Sequence, residues 1–157
     1  MTDSLPNKAQ VVIIGGGIAG ASIAYHLTKR GVKDVVVLER KQLTCGTTWH
    51  AAGLVSMLWP TPTLTKLAEY SHELYASLEA ETGQATGYKR IGSLSMARTE
   101  ERLEELKRTA SMGAAFGVES EFISNERLEE LYPGINTEGC IGCLYIEKDG
   151  QTNPIDT

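Results

Sequence analysis

Four glycines in six residues, GGGIAG at 15–20, follow directly on the apolar run VVII and open onto a helical pattern. That order constrains the fold more than any other feature of the chain. Residues 10–14 (QVVII) read as a strand buried on both faces of a parallel sheet, because β-branched residues run on without alternation. Residues 18–30 read as a helix with Ile23, Ala24 and Leu27 on one face and Gly31 as its stop. Val35–Leu38 reads as a second buried strand, closed by Glu39. Strand, glycine turn, helix and strand make one βαβ unit.

Three of the glycines stand in G-x-G-x-x-G positions, each for its own reason. Gly15 makes the tight turn out of the strand, Gly17 lets the backbone approach a pyrophosphate without a Cβ in the way, and Gly20 lets the helix pack close to the sheet. The helix N-terminus offers N–H groups and the positive end of a dipole to phosphates. Glu39, at the end of the second strand, is placed to accept from both ribose hydroxyls of an adenosine and would repel a 2′-phosphate. The motif implies a dinucleotide without saying which one, and a bare structural turn is the bland alternative.

Beyond the unit, the spacing predicts a long amphipathic helix from near Thr63 to Gly83, with Leu64, Leu67, Ala68, Leu74, Tyr75 and Leu78 on its apolar face. Residues 88–97 read as two short strands or one broken at Gly92. Thr99 caps a charged helix with Leu103, Leu106 and Ala110 inward, and Ser124 caps a shorter one that stops at Tyr132. Residues 141–146 read as a strand. Asn153-Pro154 has the look of a helix start with no helix after it, so the chain reads as truncated.

The stretch TCGTTWHAAGLV at 44–55 separates the dinucleotides. A nicotinamide domain proceeds directly to further βαβ units. This chain runs instead into Thr44, Gly46, Thr47 and Thr48, donors suited to a second phosphate contact, and then to Trp49-His50 and a run of small residues. Together VVIIGGGIAGASIAYHL, VVVLER, LTCGTTWHAAGL, ETGQATGY, RIGSL, LYPG and DGQTNP resemble the sarcosine and dimethylglycine dehydrogenase family, FAD-dependent amine oxidoreductases of the D-amino-acid oxidase type. The resemblance runs from about Gln10 to Thr157. It implies FAD carried covalently by His50 through the flavin 8α-methyl carbon. It implies further cofactor contacts from Ile18, Ala19, Glu39, Arg40 and the segment Gly46, Thr47, Thr48, Trp49, His50, Ala51, Ala52, Gly53 and Leu54. It also implies oxidation of an N-methylated small amine, with formaldehyde release or capture of the one-carbon unit by tetrahydrofolate beyond Thr157. Cys45 stands where the family commonly has serine or alanine.

The expected fold is therefore α/β: the N-terminal part of an FAD-binding Rossmann-like domain. Residues 1–9 form a disordered lead-in, 10–63 the βαβ unit and flavin loop, and 64–157 the incomplete start of an inserted α+β substrate region. With 157 residues, 41% of them hydrophobic and 22% charged, the chain has the composition of a globular domain. A net charge of −5 argues against a nucleic-acid partner, and no apolar run is long enough to span a membrane. Three cysteines make no disulfide framework and suit a reducing cytoplasm, and the first residues carry no visible address. Cys140 and Cys143 read as strand or turn thiols rather than zinc ligands, since they have no partner pair. His26 and His72 read as helix-surface or packing residues, residues 100–108 as a solvated face, and Asp149-Gly150 as a structural turn. No catalytic base and no electron acceptor is assigned. Two other readings stay open: a catalytically silent relative of the regulatory-subunit type found with pyruvate dehydrogenase phosphatase, and a generic NAD-binding module in which His50 only packs.

Overall fold

The computed structural model describes residues 6–157, so positions 1–5 of the expected lead-in lie outside the described residues. The chain forms two compact units, one of residues up to Ala52 with Pro154–Thr157 and the other of Gly53–Asn153.

The first unit holds β1 (Val11–Ile14), α1 (Ile18–Lys29) and β2 (Val35–Leu38), as the sequence pattern predicts. The strands pair in parallel, Val11 opposite Val35 through Ile14 opposite Leu38. Gly31, at φ 86, takes the chain out of α1. The expectation of strands buried on both faces fails: Ile13 is buried, but Val12 is 52% and Ile14 88% exposed. Among the described residues of this unit α1 is the helix that packs on both strands. Ile23 is likewise 51% exposed, and the one fully packed position of α1 is Gly20.

The second unit contains β3 (Leu54–Val55), α2 (Pro62–Thr82), β4 (Lys89–Arg90), β5 (Ser93–Ala97), α3 (Glu100–Phe116), β6 (Glu121–Ile123), α4 (Asn125–Leu131), β7 (Gly142–Ile146) and β8 (Gly150–Gln151). Two antiparallel sheets result, in the orders β3-β8-β4 and β5-β7-β6. Three helix starts are capped in the same way. The Oγ atoms of Thr61, Thr99 and Ser124 accept from the backbone N–H three residues on. Pro62 occupies the first turn of α2, where its missing N–H costs nothing, so the helix begins just before Thr63. Leu106 and Leu144 pack with Ala97, Leu103 and Ala110, which is the inward face expected of α3. The opposite face carries the exposed pairs Arg102–Glu105 and Lys107–Glu104.

On α2 the inward face differs from expectation. Leu64 and Leu67 are exposed, whereas Thr65, Ala68 and His72 are buried. The polar residues go inward because they have partners there. Thr65 Oγ1 accepts from Trp59 N–H and donates to Trp59 O, both at 3.1 Å, and His72 meets Tyr88. The residues after Asn153 form a turn at 154–156 rather than a helix.

Candidate functional site

The glycine turn needs its glycines for different reasons, a backbone conformation at Gly15 and close approaches at Gly17 and Gly20. Gly15 sits at φ 108, a region that favours glycine. A Cβ on Gly20 would fall 2.0 Å from Gly15 O. A Cβ on Gly17 would fall 2.9 Å from Thr48 Oγ1, the atom that accepts from Ile18 N–H at 3.0 Å. Gly17, at the N-cap of α1, gives that end no side-chain cap, and no acidic residue lies in the first turn. An anion therefore meets helix N–H groups with no carboxylate from α1 itself in its way. Thr48 is buried; with its oxygen accepting from α1, its hydroxyl hydrogen is left to donate. These residues fit the pyrophosphate of a dinucleotide.

Glu39 reaches back over this turn. Gly16 N–H donates to Oε2 at 2.8 Å and Lys41 N–H to Oε1 at 3.0 Å. These bonds, the one from Gly16 foremost, hold the carboxyl below its ordinary range, with Arg40 adding a smaller pull. The Cys45 thiol also donates to Oε1, at 3.9 Å, so Oε2 is the oxygen that keeps a lone pair for a ribose hydroxyl. Gly16, the unassigned position inside G-x-G, is thus a working part of the site that sequence reasoning missed. A Cβ there would lie 2.6 Å from Leu43 Cδ2 and 3.2 Å from Glu39 Cβ. Because the folded pKa of Glu39 is depressed, its contribution is present above the unfolded value of about 4.3 and lost as pH falls through the folded one. Glu39→Gln, which replaces one carboxylate oxygen by a donor, is expected to weaken the turn at neutral pH and to flatten the acid limb of stability. Melting curves between pH 3 and 7 check this.

The loop that follows is fixed from both sides. Thr44, a β-branched residue, is held at φ 66, where such residues are rarely found. Its N–H donates to Gly16 O at 3.0 Å, and its carbonyl accepts from Trp49 N–H at 3.2 Å. Thr47 caps a 3₁₀ turn, Thr48–His50, that Ala51 closes. Trp49 and His50 are exposed, with ring centroids 5.4 Å apart. His50 Nδ1 lies 2.9 Å from Gly46 O and must be the donor there, while Nε2 accepts from the Trp49 indole N–H at 3.0 Å. Both bonds are satisfied by one neutral tautomer whose lone pair is on Nε2. Ala52 and Arg40 are exposed beside these groups. Gly53 and Leu54 fall in the second unit, where Leu54 pairs with Gln151.

That second unit has a cleft of about 470 Å³, lined among others by Leu54, Ser56, Trp59, Ile91, Ser93 and Asp149. Asp149 is only 5% exposed. Its Oδ1 accepts from Met57 N–H and its Oδ2 from the Ser93 hydroxyl, both at 2.6 Å, and its carbonyl accepts from Ile91 and Gly92 N–H. Asp149 is therefore more than a turn residue: it ties three segments of the cleft wall. Gly150 is required beside it, since a Cβ would lie 2.7 Å from Lys89 O. Cys143 is buried in β7, which pushes its thiol up, and Cys140 Sγ lies near Gly142 O. Among the described residues no group of three or more His, Cys, Asp or Glu could hold a metal ion, and no helix is long and apolar enough to cross a membrane.

Comparison with known proteins matches this geometry to a family. Residues 10–157 match the profile of the DAO family, FAD dependent oxidoreductases. The chain is 44% identical to the mitochondrial pyruvate dehydrogenase phosphatase regulatory subunit of Mus musculus, over 98% of this chain and 17% of that protein. It is 43% identical to 4-methylaminobutanoate oxidase (formaldehyde-forming) of Paenarthrobacter nicotinovorans, over 97% of this chain and 18% of that one. Identity is also 43% to the mitochondrial sarcosine dehydrogenase of Mus musculus, over 98% and 17%. Glycine oxidase from Bacillus cereus superposes with a TM-score of 0.81 at 31% identity, over 95% of this chain and 41% of that one. The chain thus spans less than a fifth of the curated relatives' length. With a family profile covering nearly the whole sequence and a glycine turn built for a dinucleotide, the chain belongs to the FAD dependent oxidoreductases.

Proposed function

We propose that this chain is the nucleotide-binding N-terminal part of an enzyme that oxidises N-methylated small amines such as sarcosine or dimethylglycine with FAD. The observation that supports the cofactor is the N-terminus of α1, where Gly17 gives the helix no side-chain cap and no acidic residue lies in the first turn. In this reading Gly15, Gly17, Ile18, Ala19, Gly20 and Thr48 hold the pyrophosphate. Glu39, with Arg40 beside it, orients the ribose, and the segment from Gly46 to Leu54 lies along the flavin. His50 carries the covalent link through Nε2, the nitrogen whose lone pair is available once the Trp49 indole moves aside. Bound FAD supplies the two-electron oxidation, taking a hydride equivalent from the N-methyl carbon. The similarity to a sarcosine dehydrogenase and to a formaldehyde-forming 4-methylaminobutanoate oxidase supports that substrate class. Residues 10–63 then form the FAD part and 64–157 the beginning of a substrate region. No described residue is assigned to tetrahydrofolate or to the electron acceptor. Two relatives are mitochondrial by name, and the three free cysteines suit any reducing compartment.

A second reading has one observation behind it: identity to the phosphatase regulatory subunit, 44%, is no lower than identity to the enzymes. One experiment separates the two. The protein carrying this chain is expressed with riboflavin, desalted, and assayed for bound flavin and for turnover of sarcosine and dimethylglycine. Flavin with turnover is the expected result. Flavin without turnover favours the silent relative, and absence of flavin rejects the cofactor assignment altogether. Residues 1–157 expressed alone are expected to turn over neither amine.

A further inference from the structure

We propose that His72 is a positioning residue that holds one wall of the second unit's cleft in place only while its imidazole is neutral. The proposal rests on the cleft itself and stands apart from the flavin and amine assignments.

His72 is 0% exposed, in the middle of α2. Its Nδ1 lies 2.6 Å from Tyr88 Oη, and the same oxygen accepts from Arg90 Nε at 3.3 Å. Arginine can only donate, so with Arg90 on the phenol oxygen the phenol hydrogen is free to be given to Nδ1 as the bare nitrogen. The ring proton belongs on Nε2. That atom is buried and has no partner within hydrogen-bond geometry. The carbonyls of Val55 and Ser56 nevertheless lie close enough to favour a proton on the ring.

Those two residues give the arrangement its consequence. Val55 pairs with Gly150 in the sheet, Ser56 lines the cleft, and the next residue, Met57, donates its N–H to Asp149. His72 thus backs the segment whose other side forms the cleft wall. The titratable groups facing it are Tyr88, with Tyr75 stacked on that ring at 6.0 Å, then Arg90 and Asp149; β3 contributes none. Burial lowers the pKa of His72 most, Arg90 adds to that, and Asp149 with the two carbonyls opposes it; the net shift is downward. An imidazolium formed here faces one carboxylate whose oxygens are already engaged by Met57 and Ser93. It either draws Asp149 off those partners or drives α2 from the sheet. Both loosen the wall.

The sign follows from linkage. A folded pKa below the unfolded value of about 6.5 leaves the stability contribution intact above that value and removes it as pH falls through the window beneath. Between pH 7.5 and 5.5 one such group raises the unfolding equilibrium constant about tenfold. Denaturant unfolding of the unmodified protein and of His72→Gln at both pH values is the first test. On acidification the unfolding equilibrium constant of the unmodified protein is expected to rise by up to about tenfold more than that of the variant. Histidine ¹⁵N NMR on the unmodified protein is the second and needs no variant, since the chain has three histidines to assign. His72 is expected to keep the Nε2–H tautomer and to titrate below the ordinary histidine range. Amide shifts of Ser56 and Met57 are expected to move as the ring finally protonates. Titration of His72 near 6.5 overturns the proposal. So does an equal acid loss in both proteins, or a Ser56–Met57 segment indifferent to the charge on the ring.

Discussion

Gly20→Ala is expected to unfold the glycine turn and leave the protein without flavin. The added methyl carbon would sit 2.0 Å from the carbonyl oxygen of Gly15 and 3.4 Å from Ile13 Cγ2. The first of these is backbone, so no rotamer change relieves it, and α1 must lift from β1. Overpacking of this kind costs about 2–3 kcal/mol or more, a large part of a domain's net stability. The same displacement carries the N-terminus of α1 off the position where it meets phosphate. Gly46→Ala is the matched control, because a Cβ there meets nothing within 4 Å. Thermal melting should show a large drop for Gly20→Ala and little change for Gly46→Ala. Equal melting temperatures for Gly20→Ala and the parent would mean that the turn is looser than its geometry.

The second large effect concerns His50. Acid precipitation of the parent protein is expected to leave the yellow colour in the pellet, and peptide mass mapping to find a flavin adduct on the peptide containing Trp49-His50. His50→Ala should give a colourless pellet and release all its FAD into the supernatant. Binding should fall without vanishing, because Gly15–Gly20, Thr48 and Glu39 are untouched. Amine oxidation should slow, since the link positions the ring and alters its electronics. A colourless pellet from a flavin-saturated parent removes His50 as the attachment point. The tautomer in the structure adds a finer expectation: the adduct is on Nε2, because Nδ1–H is committed to Gly46 O.

The βαβ unit was legible because its signals are local. β-branched runs, glycines and the strand-end Glu39 lie within thirty residues, and each has one physical use. The caps at Thr99 and Ser124 were legible for the same reason. The misses arise where a residue's role depends on a distant partner. β3 and β8 are two residues each, too short for any period, and they exist because Leu54 and Val55 find Gln151 and Gly150 almost a hundred positions away. His72 was read as a helix-surface or packing residue, and Thr65 stood outside the apolar stripe expected of α2. Tyr88 and the Trp59 backbone make them the inward ones, and Leu64 and Leu67 are turned out in exchange. Asp149 looked like a turn until Met57, 92 residues earlier, supplied the N–H that its carboxylate needs. In the cofactor site the motif named Glu39 but not its partner, because Gly16 occupies a position where the pattern accepts any residue.

The tie between Glu39 and the glycine turn also bears on how fast a nucleotide can be taken up. A glutamate at a strand end ordinarily samples many rotamers, and a ligand that requires one of them must wait for it and absorb the lost freedom. Here Gly16 and Lys41 have already selected the rotamer during folding. The acceptor is in place when the adenosine arrives, so capture is governed by encounter and release by the strength of the contacts. In the proposed reading the ribose acceptor needs no rearrangement of its own, because Gly16 and Lys41 hold it before the cofactor arrives.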